Sequence, residues 1–237
     1  MNRLSLLVKL LFCITLSNQI CAASASIEPE SPRVDRQLIN SQLIRAAEEG
    51  NTKAVYDALK KGADCNFVDH LWFTPLYHAA ENGHKGCLIL LLKAGAEIDF
   101  DTKIYSPMTA LHHAVVNGHK DCVKILIEAK ADVNVIRGVC QKSVLQYAAE
   151  NGHKDCLSLL LKAGADPHFQ DRNGYTALHF AAENGHKDCL LILLKWGVDP
   201  KAKDRDGWNA SRIASMRGHE DCVEILKDWM FCSSTTL

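Results

Sequence analysis

The sequence predicts an all-α solenoid of stacked helix-turn-helix units, and three observations lead there. A short phrase recurs five times in the 237-residue chain: Gly-His-Lys-Gly-Cys at 83–87, Gly-His-Lys-Asp-Cys at 118–122, 152–156 and 185–189, and Gly-His-Glu-Asp-Cys at 218–222. Its period of 33 to 35 residues is the size of one supersecondary unit that cannot bury its own apolar face and must stack on a copy of itself. Between copies, two short apolar runs with helical spacing are separated by glycine, as two helices joined by a tight turn require.

Each element of a unit has a local cause. Thr74 suits a helix N-cap, and Pro75 at the first helical position sacrifices no hydrogen bond. Leu76, Ala79 and Ala80 then share one face of a short helix, the small pair letting a second helix come close. Gly83 suits a left-handed helix end. Cys87, Leu88, Leu90, Leu91 and Leu92 supply the apolar side of the second helix, which Gly95 closes. A hairpin-like turn at Asp69 or Asp171 leads into the next unit.

Several motifs recur at these fixed offsets and resemble the ankyrin repeat. Thr74-Pro75-Leu76 and Thr109-Ala110-Leu111-His112 match its helix-opening motif. Gly95-Ala96-Glu97-Ile98-Asp99, Ala131-Asp132-Val133-Asn134 and Gly164-Ala165-Asp166 match its closing turn. The resemblance covers roughly residues 38–231 and implies an ankyrin-repeat solenoid. Six units are expected, at about 37–68, 69–100, 101–136, 137–170, 171–203 and 204–232, with a short tail at 233–237. The first carries Ser41-Gln42 where Thr-Pro belongs, and the last carries Asn209-Ala210-Ser211-Arg212, polar departures of the kind that end a solenoid. The third unit has two extra residues before Thr109 and the fourth has one before Ser143. Irregular turns on one face are where repeat proteins often place binding function.

Ahead of the array, Arg3, an apolar run from Leu4 to Leu16 and the Ala23-Ser24-Ala25 end form a signal-peptide pattern over 1–25, with cleavage after Ala23 or Ala25. The expectation is an exported protein, periplasmic or secreted; the alternatives are an intracellular protein with an apolar tail, or delivery into a host cell. Residues 26–36, with two prolines and little to bury, read as a linker. No membrane span is expected in the mature protein, because the leader run is short for a bilayer. A net charge of −1 gives no electrostatic basis for nucleic-acid binding.

The His-x-x-Cys spacing inside the phrase resembles zinc half-sites, but zinc needs about four ligands converging within roughly 2.0–2.3 Å of one point. Equivalent positions on successive units lie on the order of 10 Å apart, so one metal cannot collect ligands from two rungs, and no metal or cofactor is expected. The same spacing keeps Cys87, Cys122, Cys156, Cys189 and Cys222 as separate thiols, since a disulfide needs Cα atoms within about 7 Å. Each phrase histidine is expected to close its own inter-helix turn, and the lysine rows at 85, 120, 154 and 187 to form a solvated back face. No catalytic residues are assigned and no enzyme is expected. The alternative function is a thiol- or metal-dependent protein using Cys140 and Cys232, which lie off the ladder, with nearby histidines.

What remains is the row of turn tips, where the copies differ most. The residues assigned to partner binding are Trp72, Phe73, Ile104, Tyr105, Arg137, Arg172, Tyr175, Arg205 and Trp208 at the tips, with Tyr147 and Phe180 on the concave first-helix face. Aromatic residues and arginine are the types that dominate interface hot spots. The resemblance implies the same surface, since ankyrin domains usually bind proteins through these tips and the first-helix face. The expected function is therefore a non-catalytic, monomeric scaffold for a protein partner.

Overall fold

A computed structural model of the chain describes residues 32–100, 108–137 and 141–232. The expected signal peptide and most of the linker therefore lie outside the described residues, as does the 233–237 tail. By its contacts the chain divides after Gln37. The described part of the segment before it, residues 32–37, is helical, and the segment after it holds the repeat array.

The array is a series of helix pairs: α1 (Pro32–Glu48) with α2 (Thr52–Lys60), α3 (Pro75–Glu81) with α4 (Lys85–Lys93), and α5 (Ala110–Val116) with α6 (Lys120–Glu128). They continue as α7 (Val144–Glu150) with α8 (Lys154–Lys162), α9 (Ala177–Glu183) with α10 (Lys187–Lys195), and α11 (Ala210–Arg217) with α12 (Glu220–Cys232). From α3 onward, first helices stack on first helices, and from α2 onward second helices stack on second helices. The finger before α7 closes as a small antiparallel ribbon, β1 (Ile136–Arg137) with β2 (Lys142–Ser143), which sets Ile136 opposite Ser143 and Arg137 opposite Lys142.

Caps fall where the sequence places them. The Thr74 hydroxyl accepts from the Tyr77 N–H at 3.2 Å, and Asn209 does the same for Arg212 at 2.9 Å. Thr109, Ser143 and Thr176 close reciprocal capping boxes with His112, Gln146 and His179. The first helix departs from expectation. It begins at Pro32, inside the stretch read as linker, and runs straight through Ser41, so no helix opens there. Pro32 at the first position and Asp35 in the first turn are helix-starting residues, and no proline at 42 forces a fresh start.

The core is one continuous ladder. Leu76, Leu111, Leu145 and Leu178 are at most 1 % exposed, and the alanine pairs 79/80, 148/149 and 181/182 are fully covered. The cysteines of the phrase share this interior, 0–1 % exposed, as small apolar residues.

The repeated phrase turns out to be a joint between units. The Nε2 of His84, His119, His153, His186 and His219 reaches a carbonyl of the preceding unit (Glu48, Glu81, Val116, Glu150 and Glu183) at 2.9–3.0 Å. Each ring lies against the glycine that ends that unit's first helix. A Cβ on Gly50, Gly83, Gly118, Gly152 or Gly185 would sit 2.5–2.7 Å from ring atoms. The histidine thus ties its own unit to the one before, where sequence reading had it closing its own turn. Lysine and aspartate of the phrase also bridge neighbours: Lys85–Asp121, Lys120–Asp155, Lys154–Asp188 and Lys187–Asp221, at 2.7–3.6 Å. These pairs are exposed and add little to stability. The one copy with glycine in place of aspartate, Gly86, faces Thr52, which has no cation to offer.

Candidate binding surface

Three of the fingers are pinned by one carboxylate each. Asp69 Oδ1 accepts from the N–H groups of Leu71 and Phe73, Asp171 Oδ1 from Asn173 and Tyr175, and Asp204 Oδ1 from Asp206 and Trp208, at 2.7–3.0 Å. Such a turn needs a left-handed residue just past its tip. Gly174 and Gly207 supply it at φ +80° and +77°, but Trp72 occupies the same place at φ +66°. Trp72 is 49 % exposed and its neighbour Leu71 is 57 % exposed, so the strained backbone is not repaid by full burial of the residue.

The structure sorts the assigned residues into several groups. Trp72, Arg172 and Arg205 stand exposed at the tips. Phe73 is half-buried and stacks on Tyr77 at 3.9 Å between ring centroids. Tyr175 is half-buried, with its ring 5.2 Å from Phe180. Trp208 is half-buried beneath the Arg212 guanidinium, 5.0 Å from the ring. Arg137 is half-buried in β1. Ile104 and Tyr105 lie outside the described residues, as does Cys140; of Cys232 only the backbone is described.

Phe180 is the residue whose setting differs most from its assignment, being only 5 % exposed. Lys142 lies over its ring at 4.3 Å and over the Tyr147 ring at 5.5 Å, while its ammonium holds both oxygens of Glu150 at 2.7 and 2.8 Å. A lysine, a glutamate and two rings thus form one unit at the centre of the concave face, and sequence reading did not single out Lys142 or Glu150. A signal was present. The residue before each internal helix cap is Phe73, Met108, Tyr175 or Trp208, and Lys142 is the cation in that apolar series.

At the N-terminal end of this face, the His78 Nε2 is 2.9 Å from Asp69 Oδ2, so the carboxylate that pins the finger also orients the imidazole. Glu81 accepts from the Tyr77 hydroxyl at 3.4 Å and lies 3.8 Å from His113 Nδ1. Burial pushes His113 below its usual value despite Glu81, while burial and then Glu81 push the Tyr77 phenol up. His112 is fully buried. Its Nδ1 accepts from Thr109, so the proton sits on Nε2, which finds no hydrogen-bond partner among the described residues. Burial, and then the charges of His113 and Arg137, lower its pKa to about 3. In the next unit Gln146 fills the same place and satisfies it, donating from Nε2 to the carbonyls of Tyr175 and Phe169 at 2.7 and 3.3 Å.

Among the described residues, no group of three His, Cys, Asp or Glu side chains converges as a metal site, and no helix is long and apolar enough to cross a membrane. The ladder thiols are all shifted upward by burial, to about 11 for Cys122 and Cys156 and about 12 for Cys189.

Comparison with known proteins agrees with the geometry. The family model for ankyrin repeats (three copies) matches residues 43–137 and 145–230. The chain belongs to the ankyrin repeat family. The 2-5A-dependent ribonuclease of Mus musculus is 39% identical over 59 residues, a match spanning 24% of this chain and 8% of that protein. The solved ankyrin repeat domain of human ASB11 is similar with a TM-score of 0.72 at 24% identity, covering 79% of this chain and 82% of that one. That likeness concerns the fold alone. Ankyrin repeats generally mediate protein–protein interaction, and the fold is typically a non-enzymatic scaffold.

Proposed function

We propose that this protein is a non-catalytic scaffold that captures a protein partner with its finger tips and concave first-helix face. One observation carries the reading. The repeated polar residues are engaged with neighbouring units, whereas the side chains that differ from unit to unit collect at the tips and along the concave face. A stacked array holds these side chains in place before contact, so little ordering entropy is lost on binding. The mature chain acts as a monomer without cofactor, exported after removal of residues 1–25; mass spectrometry of the natural N-terminus tests the export.

The binding reading is tested by affinity capture from the source organism with wild-type protein and with Trp72→Ala/Arg172→Ala/Arg205→Ala. All three side chains are exposed, so the variant should keep its helical circular dichroism and lose partner recovery. Lys120→Ala/Lys187→Ala, on the second helices, should capture normally. Equal recovery by the tip variant and wild type overturns the reading.

A further inference from the structure

The concave face is not evenly charged. Glu48, Glu81, Glu150 and Glu183 occupy equivalent places at the ends of the first, second, fourth and fifth first helices, with Val116 at that place in the third. Two of these carboxylates are neutralised within the chain, Glu150 by Lys142 at 2.7 Å and Glu183 by Arg217. The other two meet no lysine or arginine among the described residues. Glu81 faces only the Tyr77 hydroxyl and the rings of His78 and His113, and the Glu48 carboxylate has no hydrogen bond or ion pair there. Arg45, the nearby cation of α1, is turned to Glu49 at 3.8 Å.

Beside Glu48 lies a groove of about 480 Å³ between the first and second repeats, and the His78 ring in its lining is 4.0 Å from Glu81. Ile44, Phe67, Val68 and Leu71 give it an apolar side. Glu48 and the Asp69–His78 pair give it a polar one. Its outer lip carries the exposed Leu71 next to Trp72, the residue held at a backbone angle that glycine takes in the later fingers. An apolar trough edged by unpaired carboxylates is complementary to a bulky apolar side chain with a cation close to it in sequence.

Building on the protein-binding reading above, we infer that this groove docks a segment of the partner in which a lysine or arginine adjoins a large apolar residue. The cation pairs with Glu48 and Glu81, and the apolar side chain lies against Ile44, Val68 and Leu71. The carboxylates left unmatched on the first two rungs thus find their counter-charge in the partner.

The probe is a library of random peptides displayed on phage, selected on the purified full-length chain. Enriched peptides should share a Lys or Arg beside Leu, Ile, Phe or Trp. A synthetic copy should bind about tenfold more weakly to Glu48→Gln/Glu81→Gln, the loss expected for one charge-assisted contact. It should also bind more weakly to Leu71→Ser and in high salt, and equally well to Lys120→Ala/Lys187→Ala. All these side chains except that of Glu81 are well exposed, and circular dichroism verifies each fold. The inference is overturned if no peptide is enriched, if enriched peptides lack the cation, or if Glu48→Gln/Glu81→Gln binds them as wild type does. It is equally overturned if light scattering shows a dimer that Glu48→Gln/Glu81→Gln dissociates, or if removal of residues 1–31 is needed to expose the groove. Any of these can occur while the tip variant still loses its natural partner, so failure here and failure of the scaffold reading are separate results.

Discussion

The imidazole of His153 covers Gly118 of the preceding unit and donates from Nε2 to the carbonyl of Val116 at 2.9 Å. A carbonyl only accepts, so the ring proton is fixed on Nε2. Gly118 serves two purposes at once, taking φ +71° and leaving room for the ring.

These two purposes can be separated. Gly118→Ala puts a methyl 2.7 Å from the His153 ring, whereas Gly164→Ala, at φ +93°, meets nothing within 4 Å among the described residues. Both incur left-handed strain of about 1 kcal/mol. Gly118→Ala should lose about 1–2 kcal/mol more, through the displaced ring and its hydrogen bond. Urea midpoints of the two variants measure the difference, and equal midpoints would mean that the imidazole joint adds nothing.

Thiol chemistry gives a second expectation. Burial holds Cys122 and Cys156 near 11 and Cys189 near 12. At pH 8 roughly one such thiol in a thousand or fewer is ionised, and only the thiolate attacks an alkylating agent. Iodoacetamide should leave these three untouched in the native protein and modify them once urea is added, as peptide mass spectrometry reads directly. Native labelling of the ladder at the rate of the half-buried Cys65 would refute the account.

Acid should destabilise the array in a stated window. His112 has an ordinary value of 6.5 when unfolded but about 3 in the fold, because burial disfavours its charged form. Between those values the unfolded chain binds the extra proton, so stability is complete above pH 6.5 and declines as pH falls toward 3. The slope for one such group is about 1.4 kcal/mol per pH unit. His179, also lowered by burial, adds in the same direction. Gln146 shows that glutamine fits this place, so His112→Gln should fold and reduce the slope by about one proton. Urea unfolding at pH 7, 6 and 5 tests this, with parallel slopes as the contrary result.

Much of the fold was legible because its causes are local. Period, caps such as Thr74 and Asn209, and helix-ending glycines such as Gly95 act within a few residues of themselves. Partners a full period away were harder to read. His153 meets Val116 and Lys154 meets Asp188, 37 and 34 residues apart, and nothing near either histidine or lysine announces the contact. The start of α1 was missed because alignment to the other units suggested a helix opening at Ser41, while Pro32 and Asp35 supplied one upstream. On the concave face the aromatic positions were readable but the Lys142–Glu150 pair was not. That pair depends on the ribbon that sets Lys142 opposite Arg137 and on an eight-residue separation along the chain.

The joint also has a direction, since each imidazole reaches back and each glycine waits for the next unit. At one end Asn51 stands where later units have histidine, and at the other nothing among the described residues lies within 4 Å of a Cβ on Gly218. A whole unit duplicated into such a gene arrives with its own ring for the glycine ahead and its own glycine for the ring behind. The array can therefore lengthen or shorten by complete periods without redesign of any interface, whereas a change of one residue within the phrase disturbs two units at once.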